Sequence, residues 1–177
     1  MFAELAKQRR SIRKFNSQPV RQEQIDEIIE VALRSPSARA TRPWEFVVVQ
    51  DRQLLDKLSL TRGVGSEFFK SAPVGIVVCA DPAKSRLWIE DCTIAAVSMQ
   101  YAAHSMGLGS RWSQIRGNDF SETKTARDYL AELLGLPDHL DVECMIAIGH
   151  PDEKIEPYPR NELRFDKISY QRYGSKK

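Results

Sequence analysis

The chain has 177 residues, 42% apolar and 28% charged, with a formal net charge of +2. That is the length of one domain with ordinary globular composition, and the charge excess gives no ground for a nucleic-acid partner. No apolar run reaches the roughly 18 residues of a membrane helix, and MFAELAKQRRSIRKF lacks the apolar core and cleavage site of a secretory signal, so a cytoplasmic location is expected.

In chain order, a short helix around Leu5 and Ala6 is expected to end at Arg9. Gln22 to Arg34 places Ile25, Ile28, Ile29 and Ala32 at helical spacing, with Leu33 widening the stripe, which predicts an amphipathic helix. A loop, Ser35 to Pro43, follows. Trp44 to Val49 is aromatic and β-branched and reads as a strand. A helix is expected from Asp51 through Leu60, and a second strand over Val74 to Cys79. Ser85 to Met106 predicts a long helix, apolar around most of its circumference, with Gly107 as its left-handed stop. In so small a chain such a helix points to a subunit interface. Ser110 to Ile115 is a short strand, Thr125 to Leu134 a helix ended by Gly135, and Val142 to Ile148 a strand. Residues 152–177 are polar and irregular, but Tyr158, Phe165, Tyr170 and Tyr173 imply that they pack on something. The alternation gives an α/β or α+β class.

Some chemistries find no support. Cys79, Cys92 and Cys144 are far apart with no C-x-x-C pair, so reduced core thiols are expected and a metal site is not. His104, His139 and His150 are scattered and read as structural. Neither the dinucleotide-binding nor the P-loop glycine pattern is present, and Gly63-x-Gly65 reads as a flexible loop.

Four constellations remain. Arg9, Arg10, Ser11 and Arg13 could surround a phosphate with charge-assisted, bidentate hydrogen bonds. They could equally be a solvated helix end or, more weakly, a nucleic-acid arm. The loop Pro36, Ser37, Ala38, Arg39, Ala40, Arg42 exposes backbone to a flat ligand, or merely connects helix to strand. Gly107 to Gln114 carries two glycines, and Trp112, beside Ser113 and Gln114, could wall a planar ring; a helix cap feeding a core strand explains the glycines as well. Arg160 in the tail is a further phosphate ligand or a surface charge.

The order and spacing of these segments is more specific than any one of them. R-R-S-I-R-K-F (9–15), S-P-S-A-R-x-x-x-P-W-E-F (35–46), A-P-V-G-I-V-V-C-A-D (72–81), A-A-H-S-M-G-L-G-S-R-W (102–112), L-G-L-P-D-H-L (134–140), I-A-I-G-H-P (146–151) and the tail P-R resemble the nitroreductase family over essentially the whole chain. The resemblance implies an α+β fold, a central, mostly antiparallel sheet surrounded by helices, in a homodimer built around the long helix. It implies one domain over 1–177, with 151–177 as an extension packing on the dimer. It implies FMN in two interface clefts, reduced by NAD(P)H and reoxidised by a nitro compound, quinone or similar electron-poor acceptor in ping-pong fashion, with no catalytic acid or base. By motif position, Arg9, Arg10, Ser11 and Arg13 would hold the phosphate and ribityl end, Arg13 reaching the pyrimidine edge. The loop 36–42 of the other subunit would line the ring, Trp112, Ser113 and Gln114 would cover the opposite side with a backbone N–H near flavin N5, and Arg160 would complete the phosphate site. The chain departs from the family where Ala40 replaces an Asn and Arg42 a Gln, where Gly63 to Ser66 replaces a segment that often supplies an Asn, and in lacking a cleft-covering insertion. The alternative is a flavin-binding sensor, carrier or flavin-remodelling protein with little NAD(P)H turnover.

Overall fold

A computed structural model describes residues 1–176. The helices are α1 (Phe2–Gln8), α2 (Gln22–Leu33), α3 (Arg52–Leu58), α4 (Trp88–Ser105) and α5 (Ala126–Leu134), and the strands are β1 (Trp44–Val49), β2 (Val74–Ala80), β3 (Gly109–Gln114), β4 (Asp119–Ser121), β5 (Lys124–Thr125) and β6 (Asp141–Gly149). The main sheet runs β1-β2-β6-β3 with every neighbouring pair antiparallel. The sheet is buried on both faces, which is why β2 and β6 read as continuous apolar runs. Val74, Ile76, Val78 and Ile146 join Ile25 and Ile28 of α2 and Ala95 and Met99 of α4 in one core. Val77, Cys79 and Met145 join Leu55 and Leu58 of α3, Phe69, and Leu130 of α5 in the other. The period-two alternation of the strands sorts the two sets.

Several boundaries differ from expectation for local reasons. The long helix begins at Trp88, because Ser85 starts a turn of its own: its hydroxyl accepts from Leu87 N at 3.2 Å and donates to Asp91 at 3.0 Å. Asp51 and Thr125 are N-caps outside their helices, accepting from Leu54 N at 2.8 Å and Asp128 N at 3.0 Å. The hairpin β4–β5 has no counterpart among the expected elements; its strands are two and three residues long and its residues mostly exposed, so no apolar alternation marks it. Gly63–Gly65 forms a 3-10 turn instead of a free loop, and its Gly65 carbonyl accepts from the Ser113 hydroxyl at 2.8 Å.

The N-terminal segment beyond α1 threads across the ends of two strands. Gly109 and Gly149 face each other in the β3–β6 ladder. A Cβ on Gly109 would lie 2.8 Å from Ile12, and one on Gly149 would lie 2.5 Å from Pro73 and 3.0 Å from Phe15. The bare backbone lets Ile12 and Phe15 bury, and the segment adds bridges Ser11 to Ser110 and Phe15 to Pro151. Replacing Gly149 with Ala should therefore destabilise the fold by about 1–3 kcal/mol. The shift would be read as a lower denaturation midpoint in urea at an unchanged slope.

Candidate active site

The threaded segment delivers Arg9 and Arg13 beside Arg111 of β3. Arg9 caps α1, its guanidinium standing 5.9 Å from the Tyr101 ring of α4. Arg111 stands 5.9 Å from the Phe68 ring. Burial lowers the Arg111 pKa, and the neighbouring charges of Arg13 and Arg9 lower it further. Arg9 Nη1 and Arg111 Nε are buried with no hydrogen-bond partner. Three cations are thus gathered, two with orphaned donors. An unpaired buried donor costs about 1–3 kcal/mol, so the arrangement calls for an anion. His104 of α4 records the same field: burial and then the Arg9 charge hold its pKa below the ordinary histidine value.

Arg10 turns the other way. It packs 4.0 Å from the Tyr158 ring and donates to the Glu156 carbonyl, tying the tail to the N-terminal segment. Glu153 adds to that tie by accepting from the backbone N–H groups of Arg13 and Lys14. Arg160 is exposed and lies 5.0 Å from the Phe165 ring.

β3 is an edge strand, and its free edge is open beyond Ser110. Ser110 gives its carbonyl to Ile12 N at 3.0 Å, so the antiparallel alternation directs the N–H groups of Trp112 and Gln114 to the same free edge. Their side chains are fixed in series. Trp112 Nε1 donates to Gln114 Oε1 at 3.0 Å, Gln114 Nε2 donates to Glu143 Oε1 at 3.0 Å, and Arg116 Nε donates to Glu143 Oε2 at 2.8 Å. Glu143 sits where the β2–β6 register shifts, and that bulge releases it from the alternation to reach this network. Ser113 points to the other face, towards Gly65.

The loop 36–42 lies elsewhere in the protomer. Buried Asp91, in the first turn of α4, accepts from Ala38 N at 2.8 Å, and Ser37 Oγ accepts from Arg42 N at 3.0 Å. Arg39, Ala40 and Arg42 hold left-handed φ angles of 50°, 56° and 47°, each costing about 1 kcal/mol or more without glycine. Pro36 is exposed at the loop's start. The arginine cluster meets α4 near Tyr101 and His104, the loop meets it at Asp91, and that separation is about 20 Å along the helix. The loop also leads into β1, three strand spacings or about 14 Å from the β3 edge. One protomer therefore does not bring its own loop to its own arginine cluster.

Sequence reading missed Arg111, Glu143 and Asp91 as parts of this region. Arg111 stands in a motif of the family resemblance but alternates with Trp112, and only the position of the threaded segment shows which of the two joins Arg9. No sequence signal reports the bulge at Glu143. The three thiols are buried; burial pushes Cys79 up to about 12 and raises Cys92 and Cys144 above the usual range, so none is poised to react. No group of three His, Cys, Asp or Glu among the described residues could hold a metal ion.

A helix-flanked antiparallel sheet whose edge strand and threaded arginines form a cationic, open-edged region defines an α+β fold with a candidate anion site. The Nitroreductase family profile matches residues 6–61 and 59–150. The chain is 34% identical over 173 residues to a Methanothermobacter thermautotrophicus protein provisionally named NADH dehydrogenase/NAD(P)H nitroreductase, covering 96% of this chain and 86% of that one. It is similar to the structure of an FMN-dependent nitroreductase from Clostridium difficile R20291, at 40% identity and a TM-score of 0.94, covering 96% of this chain and 98% of that chain. It also resembles the NADPH:FMN oxidoreductase of Vibrio harveyi in complex with NAD+, at 26% identity and a TM-score of 0.81, covering 99% and 79%. The chain belongs to the nitroreductase family.

An anion bound at Arg9 should cancel part of the field on His104. The pKa of His104, followed by NMR, should rise when inorganic phosphate or FMN is added; an unmoved titration would place the anion elsewhere.

Proposed function

We propose that the chain is an FMN-dependent oxidoreductase that works as a homodimer, taking reducing equivalents from NAD(P)H and passing them to a small electron-poor acceptor such as a nitro compound or quinone. The family relatives named as FMN-dependent nitroreductase and NADPH:FMN oxidoreductase support the cofactor and the donor. The observation that carries the reading is the pair of buried, unpartnered guanidinium nitrogens on Arg9 and Arg111 beside Arg13. A phosphate monoester supplies the charge and acceptors they lack.

Bound FMN would supply the hydride chemistry, so the protein has to bind and orient without supplying an acid or base. Arg9, Ser11, Arg13 and Arg111 would hold the phosphate and ribityl end, with Arg13 assigned to the pyrimidine edge, where its positive charge would favour negative charge on the ring. The free N–H groups of Trp112 and Gln114 would face the ring, and the Glu143 network keeps that edge in place. Arg10 is assigned to the tail, because its guanidinium is already engaged. Pro36, Ser37, Ala38, Arg39, Ala40 and Arg42 wall the ring from the partner subunit.

The distances within the protomer support the dimer reading. An isologous pair with antiparallel α4 helices brings the Asp91 end of one helix to the His104 end of the other, and so each loop to the other protomer's cluster. Ile94 and Val97, 40% and 38% exposed, lie between those ends, flanked by Phe2 at 65%. A groove lined by Phe2, Leu5, Val31, Val97, Tyr101 and Ala102 is the seam we assign to the second copy. The tail's Tyr158, Leu163, Phe165 and Tyr173 are also exposed in the protomer, and they pack on that copy, which is how Arg160 reaches a phosphate site. We read residues 1–177 as one domain, with 151–177 as this extension. No helix among the described residues is long and apolar enough to cross a membrane. A cytoplasmic location fits the unpaired thiols.

Ala40 and Arg42 favour a second reading, a flavin-binding sensor, carrier or remodelling protein. Stopped-flow bleaching of bound flavin by NADH or NADPH separates the two: rapid bleaching supports turnover, and a stable yellow protein supports the second. Arg111→Gln should weaken FMN binding about 10- to 100-fold, the worth of one charge-assisted hydrogen bond, as measured by flavin fluorescence quenching. Val97→Glu should convert dimer to monomer by light scattering and lose FMN with it. A monomer that retains tight FMN binding would overturn the shared cleft.

A further inference from the structure

Between the loop 38–41 and the β2–α4 connection lies a cavity of about 530 Å³, within the range of small-molecule sites. Its lining carries Arg39, Lys84 and Arg86, with Thr41 and Ser85. No acid lines it. Lys84 has only a loose contact with Glu45, 3.6 Å apart and half exposed on both sides. The Arg39 and Arg86 side chains have no ion pair or hydrogen bond among the described residues. The nearby carboxylates are committed: Asp81 accepts from Ala83 N at 2.9 Å, and Asp91 is 2% exposed and holds Ala38 N and Ser85 Oγ together.

That last contact builds the cavity. One buried carboxylate joins the loop wall to the connection wall, so both are fixed before any ligand arrives. The left-handed backbone at Arg39 and Ala40 is held against its own steric cost by the same anchorage. Three like charges therefore stand around a hollow whose backbone walls are already in place, with only the loose Lys84–Glu45 contact set against them, and an anion entering it would not have to order those walls.

We propose that this cavity is a second anion-recognition subsite, separate from the Arg9–Arg13–Arg111 cluster, that takes a phosphate or carboxylate group of the molecule entering the cleft. The proposal rests on the reading of loop 36–42 as the wall of the partner's flavin site, which puts the cavity at the cleft mouth. Arg42, where relatives of this family carry a Gln by the resemblance above, adds a further cation to the same loop. The anionic group has two sources: the phosphates of the nicotinamide donor, or a carboxylate on the acceptor.

The test uses the FMN-loaded protein and Arg86→Ala, with Arg86→Lys as the charge-retaining control. Each half-reaction is followed by flavin absorbance in stopped flow. Reduction is compared for NADPH, NADH and 1-benzyl-1,4-dihydronicotinamide, a donor without phosphates. Reoxidation is compared for 4-nitrobenzoate and the neutral 4-nitrobenzamide. The expected result is a rise of about tenfold in the half-saturating concentration of the anionic member of one series, with the neutral member within twofold and Arg86→Lys close to the parent. Confinement to the phosphorylated donors assigns the site to the donor, and confinement to nitrobenzoate assigns it to the acceptor. Unchanged values in both series, or equal losses for neutral and anionic members, overturn the proposal while a yellow, reducible protein leaves the flavin reading standing. Failure of the parent protein to hold flavin would sink that reading, and this one with it.

Discussion

The close passage of residues 11–16 over two facing glycines is the constraint on which the rest depends. Gly109 and Gly149 leave the ends of β3 and β6 without side chains, and Ile12 and Phe15 occupy the space. The bridge to Ser110 then fixes where the arginines of the segment stand. Shift the segment outward by one side chain and Arg9 and Arg13 no longer meet Arg111. The same bridge uses one free carbonyl of the β3 edge, and so determines that the N–H groups of alternate residues beyond it face outward.

Charge gives that geometry its meaning. Guanidinium groups held against the fold normally find carboxylates or carbonyls, and Arg52, Arg116 and Arg127 do so here even though the first two are half exposed. Arg9 and Arg111 do not, although acceptors are plentiful in the chain. Local strain is distributed in the same selective way. Among the described residues, left-handed φ angles away from glycine fall at Gln171 in the tail and at three positions of the loop 39–42, which buried Asp91 secures. Unpaired cations and an anchored, strained loop are features that folding alone does not favour, and both occur where family resemblance assigns the ligand.

The arginine cluster and the loop 36–42 are at opposite ends of α4 and opposite edges of the sheet. Such a separation makes the helix both a core element and a ruler. Its inner residues, Ala95, Ala96 and Met99, are fully buried against the sheet, while Ile94 and Val97 remain open. The near-uniform apolarity of the helix is thereby divided between packing under the sheet and an exposed apolar face, which is the face assigned above to the proposed dimer.

The sequence determined most of the elements to within a few residues, because helical periodicity and strand composition are local: the helix Gln22–Leu33 follows from apolar spacing and the strand Trp44–Val49 from its aromatic and β-branched residues. It also determined the family, because the order of several weak motifs is far more specific than any one of them. It did not determine which residues of those motifs converge. Arg10 and Arg9 are adjacent and chemically alike, yet one anchors the tail and the other stands in the cluster with a buried, unpartnered nitrogen. Arg111 and Trp112 differ only in strand parity, and the parity that matters is set by a segment a hundred residues away. Glu143 reaches Gln114 only through a bulge. These assignments depend on contacts between distant parts of the chain, which composition and spacing do not encode, and so they were decided by the tertiary structure alone.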